Sequence, residues 1–156
     1  MRNHYKLFLN SDNAIVKRGT KDQDCEFSLN IGNTEDYDKA FCFVRLSYFA
    51  IKKTGYTTNS SILIKLSNPV MNTYFSNSIS SGSNQNLVNE NFIGVISTGS
   101  SSFTYSDTNF DNNYVKVGNI LNGNINITLC DIDGDLLADA KSDSWFMMLD
   151  VYFDDC

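Results

Sequence analysis

The residues that most invite a chemical reading are the aspartates of Asp131-Ile132-Asp133-Gly134-Asp135, with Asp139 and Asp143 close behind. Calcium takes several carboxylate and carbonyl oxygens in a flexible loop, so Asp131, Asp133 and Asp135 form a weak calcium candidate. The spacing departs from an EF-hand. Counted from Asp131, glycine falls at the fourth position rather than the sixth, and Ser142 stands where a bidentate glutamate belongs. Asp-Gly is also a favoured hairpin turn pair, because glycine tolerates positive φ. The turn is the stronger reading, and no metal or other cofactor is expected.

Catalysis finds little to work with. A Ser-His-Asp or Cys-His mechanism needs an imidazole beside its nucleophile, and the one histidine, His4, lies at the chain start. A solvated or strand-edge role suits it better. Glu26, Glu35 and Glu90 are isolated, and the aspartates fall mainly in turn-like stretches, so no pair of glycosidase carboxylates can be assigned. Cys25, Cys42, Cys130 and Cys156 show neither a C-x-x-C pair nor a zinc spacing. Free thiols in a reducing compartment are the default, with a Cys25 to Cys42 disulfide as the alternative. Tyr56, Tyr74 and Tyr105 could line a sugar or partner site, although singly exposed aromatics need no explanation. The chain is expected not to be an enzyme, with no catalytic residue.

The elements that would position these residues follow from period-two patterning. Ile125, Ile127 and Leu129 alternate with Asn126, Thr128 and Cys130; after the aspartate run, Trp145, Met147, Leu149, Val151 and Phe153 alternate again. This reads as strand, turn, strand, a closing hairpin with one apolar stripe. Two strands alone are marginal in water, so the rest of the chain must cover that stripe. Asn and Ser are plentiful and Pro69 is the one proline, a composition that favours turns over helix interiors.

Along the chain, strands are expected at Tyr5 to Leu9, Ala14 to Val16, Cys25 to Ile31, Phe41 to Ile51, Ser61 to Leu66, Met71 to Phe75, Phe92 to Ser97, Phe103 to Tyr105 and Tyr114 to Val117. Ser76 to Asn91 is rich in Ser, Asn and Gly and reads as a long surface loop. In Phe41 to Ile51 both parities are apolar, with Phe41, Phe43 and Phe49 on one and Cys42, Val44, Leu46, Tyr48 and Ala50 on the other. Such a strand belongs in a sheet interior, or turns its outer face to another subunit. The expected fold is all-β: a single jelly-roll β-sandwich of about eight to ten antiparallel strands, with residues 1–156 as one domain.

Length and charge bound the function. A chain of 156 residues buries roughly 68 to 70% of the surface it exposes when unfolded, enough for a real core. No apolar run approaches the roughly 18 residues that span a bilayer, and the first ten residues lack a signal-peptide pattern, so neither membrane insertion nor a signal peptide is expected. A net charge of -6 argues against binding nucleic acid through its phosphates, which takes clustered Lys and Arg.

Two ends of the chain carry a resemblance. The opening, Tyr5-Lys6-Leu7-Phe8-Leu9-Asn10-Ser11 with Glu26-Phe27-Ser28-Leu29, and the ending, Ile125-Asn126-Ile127-Thr128-Leu129-Cys130-Asp131-Ile132-Asp133-Gly134 with Trp145 to Leu149, resemble small single jelly-roll capsid proteins. These are the penton and minor capsid proteins of double-stranded DNA viruses with adenovirus-like architecture, including virophages, polinton-like viruses and large algal or protist viruses. The resemblance implies a structural virion protein of the icosahedral capsid, assembled in the host cell. It would self-assemble as a homo-oligomer, a pentamer at the vertices, and contact other capsid proteins. No insertion domain or spike is visible. The competing readings are a carbohydrate- or ligand-binding β-sandwich, a viral spike or receptor-binding head, and a trimeric jelly roll of the tumour-necrosis-factor and complement-globular-head kind, against which the lack of a signal-peptide pattern weighs.

Overall fold

The computed structural model describes residues 3–29, 36, 38–51, 61–67, 74–78, 85–89, 91–97, 103–106, 114–121, 123–138 and 142–153. The strands are β1 (Asn3–Asn10), β2 (Val16–Arg18), β3 (Asp24–Ser28), β4 (Phe41–Ile51), β5 (Ser61–Leu66), β6 (Tyr74–Ser78), β7 (Gln85–Asn89), β8 (Phe92–Ser97), β9 (Phe103–Ser106), β10 (Val115–Gly118), β11 (Asn124–Cys130) and β12 (Trp145–Phe153). Among the described residues the one helical element is the short 3-10 turn Ser11–Asn13, so the fold is all-β as the patterning requires.

Ten of these strands form two antiparallel five-stranded sheets. Sheet I runs β1-β12-β4, and the far edge of β4 is shared by β10, opposite Phe41 to Val44, and β9, opposite Tyr48 to Ile51. Sheet II runs β2-β3-β11-β5-β8. The pairing is nested: β1 pairs with β12, β3 with β11, β4 with β9 and β10, and β5 with β8. The pairings of β12 with β4 and of β11 with β5 then close each sheet across the nest.

This arrangement corrects the expected closing hairpin. β11 lies in sheet II and β12 in sheet I, and they do not pair. The Asp-Gly turn is real, with the Gly134 N–H donating to the Asp131 carbonyl at 3.0 Å and Gly134 at φ +84°. It returns the chain only as far as a bridge between Cys130 and Leu136. The two apolar stripes therefore face each other across the core. Ile125, Ile127 and Leu129 look up from one sheet, and Trp145, Met147, Leu149, Val151 and Phe153 look down from the other, all buried.

The long stretch read as a loop from Ser76 to Asn91 is also corrected, since β6 and β7 pair as a separate two-stranded sheet in the register Tyr74 opposite Asn89. Asn and Ser are poor strand formers in isolation, and a backbone ladder overrides that preference.

Both sheets supply the core: Leu7 and Leu9 from β1, Val44 and Phe49 from β4, Ile62 and Ile64 from β5, and Ile93 and Ile96 from β8. Each fully buried side chain of this kind stabilises by about 1.5–3 kcal/mol relative to exposure. The sheets come close at Gly94, opposite Ile64, where an added Cβ would lie 3.4 Å from Leu46 Cδ2.

Trp145 ties the end of the sandwich together. Its ring meets Phe27 of sheet II edge-on at 5.8 Å and stacks on Phe49 at 6.2 Å. Its indole N–H donates to the Asp22 carbonyl at 2.8 Å, and its backbone N–H donates to Ser11 Oγ at 2.9 Å. Trp145→Ala removes the ring from the core and the indole bond to the Asp22 carbonyl, so a loss of about 3–5 kcal/mol is expected in denaturant unfolding; a loss below about 1 kcal/mol would show that the ring is not a core anchor.

Candidate interaction surface

The two apolar parities of Phe41 to Ile51 have a specific cause. β4 pairs Leu46 with Leu149 and Tyr48 with Met148, so Ser47 is an extra residue, a β-bulge whose hydroxyl donates to the Met148 carbonyl at 3.1 Å. A bulge swaps which parity faces which side. Cys42, Val44 and Leu46 point into the core before it, and Phe49 and Ile51 after it. The outer face of the strand thus holds Phe41, Phe43, Arg45, Tyr48 and Ala50. The expectation of a strand apolar on both sides holds in substance, with Tyr48, Phe49 and Ala50 on the opposite faces from those that strict alternation gives.

On that outer face the side chains form rows across the strands. His4, Tyr152, Phe43 and Lys116 are in register, and so are Phe8, Met148 and Tyr48. Tyr152 is the hub of the first row, stacked on Phe43 at 4.8 Å and on His4 at 5.6 Å, with Tyr114 edge-on at 4.6 Å. At the other end Phe146 packs against Phe8 at 6.2 Å and Tyr48 at 5.9 Å. Such cross-strand aromatic pairs are worth about 0.2–1 kcal/mol each. They also leave apolar surface in solvent, with Phe8 62% and Phe41 42% exposed. Lys116 lies over the Phe41 ring at 4.7 Å.

Between the two aromatic rows runs Lys6-Asp150-Arg45. Arg45 Nη2 donates to Asp150 Oδ2 at 2.7 Å, and the two side chains are only 1% and 6% exposed. The Arg45 guanidinium sits 5.5 Å from the Tyr114 ring. Burial pushes the Tyr114 phenol up, opposed by the charge of Arg45. An ion pair sealed on the outer side of a sheet is unusual, because both charges lose water, and it holds only while both partners remain.

Sheet II presents a different outer face. Arg18, Asp24, Thr128, Lys65 and Phe92 form one row across all five strands, and Glu26 pairs with Arg18 at 3.6 Å. The next row is apolar. Leu136, Cys130, Leu63 and Val95 are successive neighbours, with Leu136 49% and Val95 61% exposed.

The candidate calcium residues sit at the end of this sheet. Asp131 Oδ1 accepts the backbone N–H groups of Asp133 at 2.9 Å and Asp135 at 3.0 Å, so this carboxylate shapes its own turn. Among the described residues no group of three or more His, Cys, Asp or Glu could hold a metal ion. Asp143 accepts from the Ser144 N–H; Asp139, Glu35, Glu90, Tyr56 and Cys156 lie outside the described residues, and Tyr74 and Tyr105 fall on β6 and β9. A cleft of about 200 Å³ opens at the start of β12, between Asn10 and Asp12 on one side and Ala50 and Ile51 on the other, beside Trp145 and Phe146.

Cys25, Cys42 and Cys130 are free and buried, so the structure has no Cys25 to Cys42 disulfide. Cys25 donates to the Asp22 carbonyl in sheet II's opening segment and Cys42 to the Gly118 carbonyl in sheet I. Burial pushes Cys25 up to about 12 and Cys42 and Cys130 to about 11. None offers a ready thiolate nucleophile.

Sequence patterning missed Arg45, Asp150, Phe8, Phe146 and Tyr152 as members of one surface. The signal was the even parity of β12, where Phe146, Met148 and Tyr152 oppose the buried stripe and are themselves largely apolar. Among the described residues no helix is long and apolar enough to cross a membrane. No protein-family model matches the chain, and no curated protein matches it.

Two expectations follow from this geometry. Arg45→Met leaves Asp150 buried and unpaired and should cost about 3–5 kcal/mol, while adding Asp150→Leu recovers most of the loss; equal losses in the single and double variants would mean the charges are not coupled. The thiols set a pH limit. Unfolded thiols ionise from about pH 9, whereas the native ones keep their protons to about 11 to 12. Above pH 9 the unfolded state therefore binds fewer protons, and stability falls as pH rises through that window. Urea midpoints measured from pH 8 to 11 should fall less steeply for Cys25→Ala than for the wild type.

Proposed function

We propose that the chain is a structural protein that works by assembling with copies of itself, a jelly-roll capsid protein of the penton type that also contacts neighbouring capsid proteins. The observation that carries this reading is the outer face of sheet I. A free-standing sandwich normally wets that face, and here it holds aromatic rows around a sealed ion pair, as obligate interfaces do when a core is cut in half. The nested pairing of β1 with β12, β3 with β11, β4 with β9 and β10, and β5 with β8 supports the jelly-roll part of the reading. The protonated, buried thiols and the single exposed histidine support a mechanical rather than a catalytic role.

In such a role the chemistry is that of shape and desolvation. Exposed Phe8 and Phe41 supply apolar area, and Arg45 with Asp150 stiffens the sheet between them. A second reading, a carbohydrate- or ligand-binding β-sandwich, draws on the cleft beside Trp145.

Light scattering of the purified chain across a concentration series tests the choice. A defined oligomer, and a pentamer for the vertex role, is the expected mass. A trimer would move the reading to a spike or receptor-binding head, and a monomer at every concentration would favour the ligand-binding sandwich.

A further inference from the structure

We infer that copies of this chain join head to tail, with the outer face of sheet I of one copy seated on the outer face of sheet II of the next. The inference rests on the self-assembly reading and adds to it which surfaces meet. Three observations point this way.

First, the exposed large apolar side chains of the two outer faces form two separate sets. Phe8 and Phe41 stand on sheet I, and Val16, Val95 and Leu136 stand on sheet II, with Ile132 64% exposed in the adjoining turn. The sheets turn their inner faces to a common core, so the two sets lie on opposite sides of the molecule. A two-fold contact covers one set and leaves the other in water. A head-to-tail contact covers both, and closes into a ring when the rotation per copy divides a full turn.

Second, the faces differ in charge. On sheet I the carboxylate of Asp150 is neutralised by Arg45, leaving Lys6 and Lys116 as the cations that reach solvent. On sheet II, Asp24 and Glu26 balance Arg18 and Lys65, and the turn after β11 adds Asp131, Asp133 and Asp135. Sheet I against sheet I would set lysine against lysine, whereas sheet I against sheet II sets lysines against an acidic rim.

Third, each apolar row is bordered by its own face's charges. Lys116 lies over Phe41, Lys65 lies 5.8 Å over Phe92, and the acidic turn adjoins Leu136. This is the layout of an apolar centre with a polar rim.

The test uses two full-length variants, each blocked on one face: Phe8→Glu with Phe41→Glu, and Val95→Asn with Leu136→Asn, the second block being neutral so that the two blocked faces do not attract each other. All four positions are exposed, and unchanged circular dichroism and urea midpoints establish that the variants fold. Each variant alone should be monomeric by light scattering at concentrations where the wild type assembles. Mixed in equal amounts they should form a dimer and nothing larger, because one competent junction remains. Self-association of the variant blocked on sheet II would overturn the inference in favour of a two-fold contact, and a monomeric mixture would overturn it outright. An independent arm reverses charge. Lys6→Glu with Lys116→Glu should weaken association about tenfold or more, and adding Asp133→Lys with Asp135→Lys in the same chain should restore it; no restoration would contradict the pairing of these faces. A wild type that never assembles would refute the self-assembly reading itself, whereas assembly untouched by either pair of blocks would refute only this choice of faces.

Discussion

Where Ser47 stands as an extra residue between Leu46 and Tyr48, the pairing of β4 with β12 changes register, and both faces of sheet I follow from that change. Before the bulge the even positions of β4 fill the core, and after it the odd ones do, so Phe49 can reach Trp145 while Tyr48 turns outward to Phe146. The same shift leaves Arg45 on the outer side, directly opposite Asp150. Without the bulge, Phe49 and Ile51 would be thrown to solvent and Tyr48 and Ala50 drawn inward, a loss of two buried side chains at about 1.5–3 kcal/mol each. β4 occupies the middle of its sheet, so β12, β9 and β10 all take their positions from it.

Much of the fold could be read in the residues because alternation survives burial on one face. Ser61–Leu66 and Phe92–Ser97 appear with the bounds the pattern predicts, and Phe41–Ile51 is the long central strand. Three features escaped that reading for definable reasons. The chain from Cys130 to Trp145 crosses from one sheet to the other, and a period-two stripe looks the same whether its neighbour in sequence pairs beside it or faces it across a core. The strand Gln85–Asn89 lacks apolar alternation, so only its partner β6 reveals it. A bulge, finally, is one unmarked residue, and Ser47 carries no signal of its own.

The candidate surface was legible only in part. The double-sided character of β4 pointed to a second interface, yet the rows that make the surface join β1, β12, β4 and the residue before β10, which are far apart in sequence. The aspartates that drew attention first have a local task, since Asp131 spends one carboxylate oxygen on holding its own turn. Taken together, a rigid nested sandwich presents an aromatic, weakly basic face on one side and an apolar row with an acidic rim on the other. That is a division of surface suited to repeated contact between copies.

Lysine footprinting by acetylation, read by mass spectrometry in dilute and concentrated samples, tests that account most directly. Lys6 and Lys116 lie on one outer face, Lys65 on the other, and Lys21 on the exposed segment between β2 and β3. The account predicts that Lys6, Lys116 and Lys65 lose reactivity together as the concentration rises while Lys21 stays open. Equal reactivity of all four at both concentrations, or protection confined to one face, would contradict it.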